Sequence, residues 1–326
     1  MEDIAKRLIG WYEANKRPLP WRETTDPYAI WVSEVILQQT RVAQGHDYFV
    51  RFMQSFPDVG ALAAADEDEV LRVWQGLGYY SRARNMHAAA GQIVANGCFP
   101  QTYEEILNLK GVGPYTAAAV GSFAFGLPCA VVDGNVCRVV SRLFAIEEPV
   151  DVREGRRLVE GLAQALLPEG QSALFNQAVM EFGALQCVPS SPRCDVCPLA
   201  DKCLALARGL VAALPRKSHR TKVADRYFHY FLIDDGGSLY LRKRTSEDIW
   251  RGLYELPMKE VAADDAEEDS LPVKKVRHVL SHQVIHASLY RQKLDAPLPS
   301  HKDWLVVSWS ELDKYALPRL VQILLE

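Results

Sequence analysis

Four of the seven cysteines of this 326-residue chain crowd into 17 consecutive residues, and this constrains the fold more than any other feature. The spacing C-x6-C-x2-C-x5-C is formed by Cys187, Cys194, Cys197 and Cys203. Four thiolates in one short loop suit either a tetrahedral zinc ion or an iron–sulfur cluster. The prolines that shape this loop favour a metal site over four unrelated buried thiols: Pro189, Pro192 and Pro198. We therefore expect the chain to fold around a metal-binding loop.

The length of the chain suggests two domains, because single hydrophobic cores stop growing at roughly 250–300 residues. The composition is that of a globular protein, and the formal net charge is −4. A nucleic-acid partner therefore cannot be inferred from the overall charge, and a binding face must come from local clusters of Lys and Arg. One basic cluster contains Arg216, Lys217, His219, Arg220 and Lys222. The acidic stretch at 264–269 is expected to be an exposed loop.

The sequence contains no candidate membrane segment. The first twelve residues mix acidic and basic side chains, and no later segment approaches 18 uninterrupted apolar residues. We expect a monomeric cytoplasmic protein of bacterial type. An odd number of cysteines in such a compartment is not a disulfide framework. Outside the loop, Cys98, Cys129 and Cys137 are expected to be small hydrophobic core residues.

Two regions of different secondary structure follow one another along the chain. In residues 1–205, Gly, Pro and Asp separate segments whose patterns predict successive helices, among them 28–40, 66–75, 83–96, 116–125, 136–144 and 154–167. Residues 206–224 form a polar, basic linker. Residues 225–326 contain short β-branched and aromatic runs at 227–233, 238–242, 287–294 and 304–308, and a final helix at 317–325. The prediction is a mainly α domain joined to a smaller α+β domain.

The segment 109–117 predicts a tight turn between two helices. Gly111 and Gly113 permit the turn, and Pro114 suits the first turn of the next helix. The backbone amides at such a helix start can bind a phosphate group. A plain interhelical turn is the alternative interpretation of the two glycines alone.

Two carboxylates occupy unusual positions. Glu34 lies in a helix that is apolar nearly all round, where burial raises the pKa of a carboxyl group, as a general acid requires. A Glu that reaches solvent is the alternative. Asp133 directly precedes an amphipathic helix, where it is either an ordinary N-cap or a catalytic carboxylate held rigid by the cap.

Together these motifs resemble the MutY family of adenine DNA glycosylases, in the endonuclease III (helix-hairpin-helix) superfamily. The resemblance covers nearly the whole chain, with further matching motifs at 20–22, 34–40, 75–80, 133–135 and 180–184. It implies a six-helix barrel module, an iron–sulfur module with a 4Fe–4S cluster on the four cysteines, and a Nudix-like C-terminal domain. The implied partner is double-stranded DNA with adenine opposite 8-oxoguanine or guanine, so that the protein would associate with the nucleoid.

The resemblance also implies roles for individual residues. Glu34 would protonate the leaving adenine after the base has flipped out of the duplex, and Asp133 would stabilise or trap the sugar cation. Tyr115 and Asn135 would support that centre. Residues expected to line or brace the adenine pocket are Trp21, Arg22 and Glu181. Residues expected to enter the duplex are Gln39 and Tyr80, and those expected to bind phosphate are Gly111 and Gly113.

Two features narrow the implied activity. Bifunctional relatives carry a nucleophilic lysine where this chain has Tyr115, so the resemblance implies a monofunctional glycosylase. The C-terminal segment from Trp250 to Pro257 resembles a Nudix domain without its acidic magnesium-binding helix, which implies a recognition module. There, Ser281 and His282 would distinguish 8-oxoguanine from guanine; a polar turn is the alternative. Rival hypotheses are a pyrimidine-specific glycosylase, a non-enzymatic DNA-binding protein and a nucleotide hydrolase.

Overall fold

The computed structural model describes residues 1–218, 223–262 and 271–326. Part of the predicted basic cluster (219, 220 and 222) and the predicted acidic loop (264–269) lie outside the described residues. The chain forms two compact units. The first unit comprises Met1–Met53, Asp58–Gly60 and Ala89–Arg220, and the second comprises Gln54–Pro57, Ala61–Ala88 and Thr221–Glu326. The predicted domain limits at 205 and 225 stay a prediction.

The predicted mainly α region and the smaller α+β region are both confirmed. In chain order the helices are α1 (Glu2–Asn15), α2 (Pro27–Leu37), α3 (Val42–Ser55), α4 (Val59–Ala64), α5 (Glu67–Trp74), α6 (Ser81–Asn96), α7 (Tyr103–Leu107), α8 (Pro114–Phe125), α9 (Gly134–Leu143), α10 (Arg153–Leu166), α11 (Ser172–Leu185), α12 (Leu204–Ala207) and α13 (Arg319–Leu325). None of the helices in the described parts of the chain is long and apolar enough to cross a membrane.

Local sequence signals account for several helix ends. Proline occupies the first position of α2 and α8, where its missing N–H costs no hydrogen bond. Asp26 caps α2, and Thr102 forms a capping box with Glu105 at α7. The predicted helix at 28–40 is three residues too long at its end, because Gln38 leaves the helical conformation and Gln39 has a φ of 58°.

The core of the first unit joins helices that are distant in the sequence. Side chains of α1, α9, α10 and α11 pack together, including Leu8, Val140, Val159 and Phe182. Leu199 from the cysteine loop is buried in the same core, and three of the four loop cysteines pack against it. The loop is therefore part of the folded core of this unit.

The second unit is built on a sheet that has seven strands within the described residues. The strands are β1 (Ala224–Asp234), β2 (Ser238–Lys243), β3 (Tyr254–Glu255), β4 (Met258–Val261), β5 (Lys274–Val279), β6 (Gln283–Lys293) and β7 (Leu305–Ser308). Their order is β3-β2-β1-β6-β5, with β4 paired to β1 and β7 paired to β2. Strands β1 and β6 run parallel, in register from Ala224 with Gln283 to Asp234 with Lys293. Helix α13 packs on the sheet through Leu320, Val321 and Leu324.

Helix α5, which belongs to the predicted N-terminal helical region, packs with these strands. Asp68 of α5 accepts a hydrogen bond of 2.6 Å from the Tyr254 hydroxyl and pairs with Lys243. The amide of Leu317 donates to the side chain of Gln75. Nothing in the local sequence of α5 distinguishes it from the other helices, because these contacts join residues 175 to 242 positions apart.

Candidate active site and cysteine loop

A cavity of about 200 Å³ in the first unit brings together seven of the predicted site residues. Its lining includes Glu34, Tyr115, Asp133, Asn135, Trp21, Arg22 and Glu181. These residues come from α2, α8, α9, α11 and the short turn Pro20–Arg22. Four residues that were predicted to contact bases lie outside this lining: Gln39, Tyr80, Ser281 and His282.

Glu34 is buried in α2, whose residues from Tyr28 to Ile36 are all buried. Its side chain accepts a 2.6 Å hydrogen bond from the Tyr115 hydroxyl. Burial raises the pKa of Glu34 to about 7, although the Tyr115 hydrogen bond acts in the opposite direction. Near neutral pH, Glu34 can therefore be protonated and give up its proton.

Asp133 is the N-cap of α9, as the sequence suggested. Its carboxylate accepts hydrogen bonds of 2.7 Å from the Val136 amide and from the Asn135 side chain. Burial raises the pKa of Asp133, and these hydrogen bonds oppose the rise because they favour the charged form. The N-cap and the carboxylate in the cavity are thus the same group, so the two interpretations of Asp133 are compatible.

A hydrogen-bonded chain links Asp133 to the start of the cysteine loop. The Asn135 oxygen accepts from Arg138 at 2.8 Å, and Arg138 donates to the carbonyl of Cys187 at 2.8 Å and that of Gly183 at 2.7 Å. Helices α9 and α11 approach closely here, since a Cβ atom on Gly183 would lie 2.7 Å from the Cβ atom of Asn135. Gly183 therefore has to lack a side chain.

Glu181 binds two arginines. Arg17 donates to it from Nε and Nη2 at 2.8 and 2.6 Å, and Arg22 donates at 2.7 Å. Burial raises the pKa of Glu181, but the hydrogen bonds from Arg17 and Arg22 outweigh it and bring the pKa to about 2. Glu181 is therefore an ionised brace for the two arginines. Arg17, which also lines the cavity, was missed by sequence reasoning.

Gln177 is a second cavity residue that sequence reasoning missed. Its side-chain oxygen accepts a 2.6 Å hydrogen bond from the buried Tyr12 hydroxyl, which fixes the orientation of the amide. The sequence signal was the pair Asn176-Gln177 within the otherwise apolar start of α11.

The structure corrects the expectation for Tyr80. Its side chain is 5% exposed, and its hydroxyl accepts a hydrogen bond from the Gly76 amide, so it does not project from the surface. The neighbouring Tyr79 is 42% exposed, with a φ of 46°. Gln39 is exposed directly after α2.

The predicted turn between helices lies between α7 and α8. Gly111 has a φ of 75°, which favours glycine, whereas Gly113 is extended and caps α8. A Cβ atom on Gly113 would meet no heavy atom within 4 Å among the described residues. The backbone of the turn therefore requires a glycine at Gly111 but not at Gly113.

A second cavity, of about 400 Å³, lies within the second unit. Its lining includes Tyr79, Trp250, Ser281 and His282. The Tyr79 hydroxyl donates to Ser281 at 2.7 Å, and the Ser281 hydroxyl lies 3.2 Å from the His282 ring nitrogen Nδ1. Ser281 and His282 thus belong to a cavity wall.

The four loop cysteines line one small cavity, of about 30 Å³. Arg142 donates to the Cys187 sulfur at 3.4 Å and to the carbonyls of Val188 and Pro189. Burial, with a smaller contribution from the neighbouring loop thiols, raises the pKa of Cys197 to about 11. Among the described residues, no three His, Cys, Asp or Glu side chains converge as ligands of a single ion.

The cysteines outside the loop differ in their burial. Cys137 is buried, as expected, and Cys129 is partly buried. Cys98 is exposed, which corrects its assignment to the core.

Comparison with known families agrees with this architecture. Residues 32–164 match the HhH-GPD superfamily of base excision DNA repair proteins, and residues 229–326 match the NUDIX domain. A solved structure of a thermostable thymine-DNA glycosylase superposes with a TM-score of 0.59 at 28% identity, over 63% of this chain and 95% of that one. The fold and the site thus define a DNA glycosylase, an enzyme that acts on N-glycosyl bonds.

Sequence relatives narrow the class further. The adenine DNA glycosylase of Buchnera aphidicola subsp. Baizongia pistaciae (strain Bp) is 31% identical over 293 residues, covering 87% of this chain and 83% of the relative. The adenine DNA glycosylase of Homo sapiens is 44% identical over 213 residues, covering 62% of this chain and 39% of the relative. The chain belongs to the adenine DNA glycosylase family of base excision repair enzymes.

The environment of Glu34 predicts the pH dependence of the reaction. A general acid must be protonated to act, so with Glu34 in that role the single-turnover rate should fall as the pH rises through about 7, the pKa of Glu34. Tyr115→Phe removes the hydrogen bond that lowers this pKa, so the fall should move to higher pH. Glu34→Gln should abolish the pH-dependent limb and cost about 10²–10⁴ in rate with DNA binding retained. A Glu34→Gln enzyme with the parental pH profile would exclude Glu34 as the acid.

Proposed function

We propose that the enzyme hydrolyses the N-glycosidic bond of adenine mispaired with 8-oxoguanine or guanine, after the adenine has flipped out of the duplex. The observation that carries the proposal is a cavity that combines a carboxyl group of pKa about 7, Glu34, with an N-capping carboxylate, Asp133. Glycoside hydrolysis uses such a pair, with one member protonated and the other charged. Flipping is required because the bond is inaccessible inside a duplex.

The two carboxylates take different roles in this mechanism. Glu34 donates its proton to the leaving base, and Asp133 stabilises the positive charge that develops on the sugar, or traps it covalently. Asn135 holds Asp133 through the 2.7 Å hydrogen bond. The buried Tyr115 phenol has its pKa raised well above the usual value, so it stays protonated and orients Glu34. A phenol forms no Schiff base, which supports monofunctional chemistry that leaves an abasic site in an intact strand.

Further residues provide the base pocket and the duplex contacts. The cavity presents to the base Trp21, Arg22, Arg17 and Gln177, and Glu181 braces the two arginines. Gln39 and the exposed Tyr79 fill the space that the flipped adenine leaves in the duplex. Tyr79 takes this role in place of Tyr80, which is buried. The backbone amides at Gly111 and Gly113 bind a phosphate. In this proposal residues 1–205 carry catalysis, 206–224 form a linker, and the monomeric enzyme acts on nucleoid DNA in the cytoplasm.

The second unit provides recognition of the base opposite adenine. 8-Oxoguanine carries a proton on N7, where guanine has an acceptor. Hydroxyl and imidazole groups can both donate and accept hydrogen bonds, so Ser281 and His282 suit this distinction. A nucleotide hydrolase is disfavoured because Met258–Val261, directly after Pro257, form strand β4, and the described residues between this strand and β5 contain no acidic helix.

A 4Fe–4S cluster fits the loop of the four cysteines. The donor set is four thiols around one cavity, and the buried guanidinium of Arg142 is hydrogen bonded to one of them. In such a cluster each thiolate binds a different iron, so the sulfurs need not converge on one ion. When bound, the cluster supplies a structural crosslink for Cys187, Cys194, Cys197 and Cys203. The chain's own contribution is Arg142, which ties the loop to α9.

The metal prediction is directly measurable. Purified protein should be brown, with broad visible absorbance and about four irons per chain. Cys197→Ser should reduce both signals, because it removes one of the four thiolates that line the loop cavity. The matched control is Cys98→Ser, which should alter neither signal, since Cys98 is exposed and lies outside the loop. Colourless, fully active protein with one zinc per chain would rule out the cluster.

The mispair prediction tests the proposed specificity. In single-turnover assays the enzyme should cleave adenine opposite 8-oxoguanine faster than adenine opposite guanine, with strand breaks only after alkali. Ser281→Ala combined with His282→Ala should reduce this preference about 5- to 150-fold, as expected for lost base contacts. The matched control pair is Ser310→Ala with His301→Ala, which lie in the same unit outside the cavity. An unchanged preference in the first double variant would remove Ser281 and His282 from recognition, and cleavage without alkali would contradict the monofunctional mechanism.

A further inference from the structure

The wall of the cavity in the second unit contains a residue with a strained backbone. Trp250 lines this cavity and has a φ of 61°, in the left-handed region that a bulky side chain rarely adopts. Such a conformation persists only where the surroundings hold it, and it is concentrated at functional sites.

Ion pairs, of which that between Arg244 and Glu255 is buried, hold the turn that carries Trp250. Arg244 donates from Nε to the Ile249 carbonyl at 3.0 Å and from Nη2 to Asp248 at 3.0 Å. Its Nη1 donates to both oxygens of the fully buried Glu255, at 3.0 and 2.8 Å. Arg226 binds Asp248 with two further hydrogen bonds, of 2.9 and 2.8 Å. The turn is thus anchored to the core of the second unit on the residues just before Trp250.

Gly252, two residues after Trp250, restricts the turn from the other side. Gly252 has a φ of 84°, and a Cβ atom there would lie 2.9 Å from Leu71. Its amide donates to the Arg244 carbonyl at 2.8 Å. The backbone of the turn is therefore held on both sides of Trp250.

The cavity suits a flat, partly polar molecule. Its apolar lining, contributed by Leu77, Ile249, Trp250, Val279 and Leu280, adjoins polar groups of Tyr79, Ser281 and His282. The Trp250 ring is only partly buried and makes an edge contact with His278, at 6.0 Å between ring centres. A purine base offers ring faces to aromatic side chains and hydrogen-bonding edges to polar ones.

We propose that Trp250 packs against the base opposite the adenine and supplies affinity that does not depend on whether that base is guanine or 8-oxoguanine. This inference rests on the proposed function of the second unit. Ring contacts tolerate any base because every base has an aromatic face, whereas hydrogen bonds at an edge distinguish bases. The cavity wall thus divides its roles: Trp250 contributes binding, while Ser281 and His282 contribute preference.

The test compares dissociation constants for duplexes with adenine opposite 8-oxoguanine and opposite guanine, in a Glu34→Gln background that retains the adenine. Trp250→Ala should weaken binding of both duplexes about 5- to 150-fold, with the ratio of the two constants unchanged within about twofold. Trp250→Phe should lose less than Trp250→Leu, because only Phe keeps an aromatic face. The matched control is Trp304→Ala, in the same unit and outside the cavity lining.

Each outcome decides the proposal. Unchanged constants in Trp250→Ala, or a change in the ratio alone, would overturn it. If the Ala variant has a lowered unfolding midpoint, the Phe and Leu variants decide, and equal constants for those two would overturn the proposal. A parental enzyme without any preference for 8-oxoguanine would instead contradict the proposed specificity, and the guanine duplex alone would still test Trp250.

Discussion

The arrangement of the active site depends on one chain of hydrogen bonds, from Asp133 through Asn135 and Arg138 to the carbonyl of Cys187. Arg138 is 9% exposed and also donates to the Gly183 carbonyl, so a single guanidinium joins α9, α11 and the first cysteine of the loop. Burying a guanidinium is costly unless its donors are satisfied, and each of these bonds satisfies one. The position of the Asp133 carboxylate is therefore coupled to the fold of the cysteine loop.

The carboxyl groups of this cavity differ in pKa because their partners differ. Glu34 has a neutral phenol as its partner, and burial raises its pKa to about 7. Glu181 has two arginines as partners, and its pKa falls to about 2 despite burial. Burial raises the pKa of Asp133, while the amide and side-chain donors at the helix start act in the opposite direction. Partner chemistry thus sets the pKa of Glu34 and that of Glu181 far apart within one site.

The sequence predicted those parts of the site whose cause is local. Glu34 is conspicuous because its whole helix is apolar, Asp133 because it precedes a helix, and the four cysteines because they are close in the chain. Contacts between distant segments were not predictable: Arg17 meets Glu181 across 164 positions, and Tyr12 meets Gln177 across 165. The burial of Tyr80 was not predictable either, because only the folded turn shows that this ring is buried while that of Tyr79 is exposed.

Replacing Arg138 tests most directly whether the cysteine loop positions Asp133. Arg138→Gln should preserve the visible absorbance of the proposed cluster while lowering the single-turnover rate on adenine opposite 8-oxoguanine by about 100-fold, because a misplacement of about 1 Å can cost that much. Arg156→Gln is the matched control, since Arg156 contacts the Val132 carbonyl next to Asp133 and makes no hydrogen bond to the described cysteine loop. A parental rate in Arg138→Gln with the absorbance intact would contradict the account.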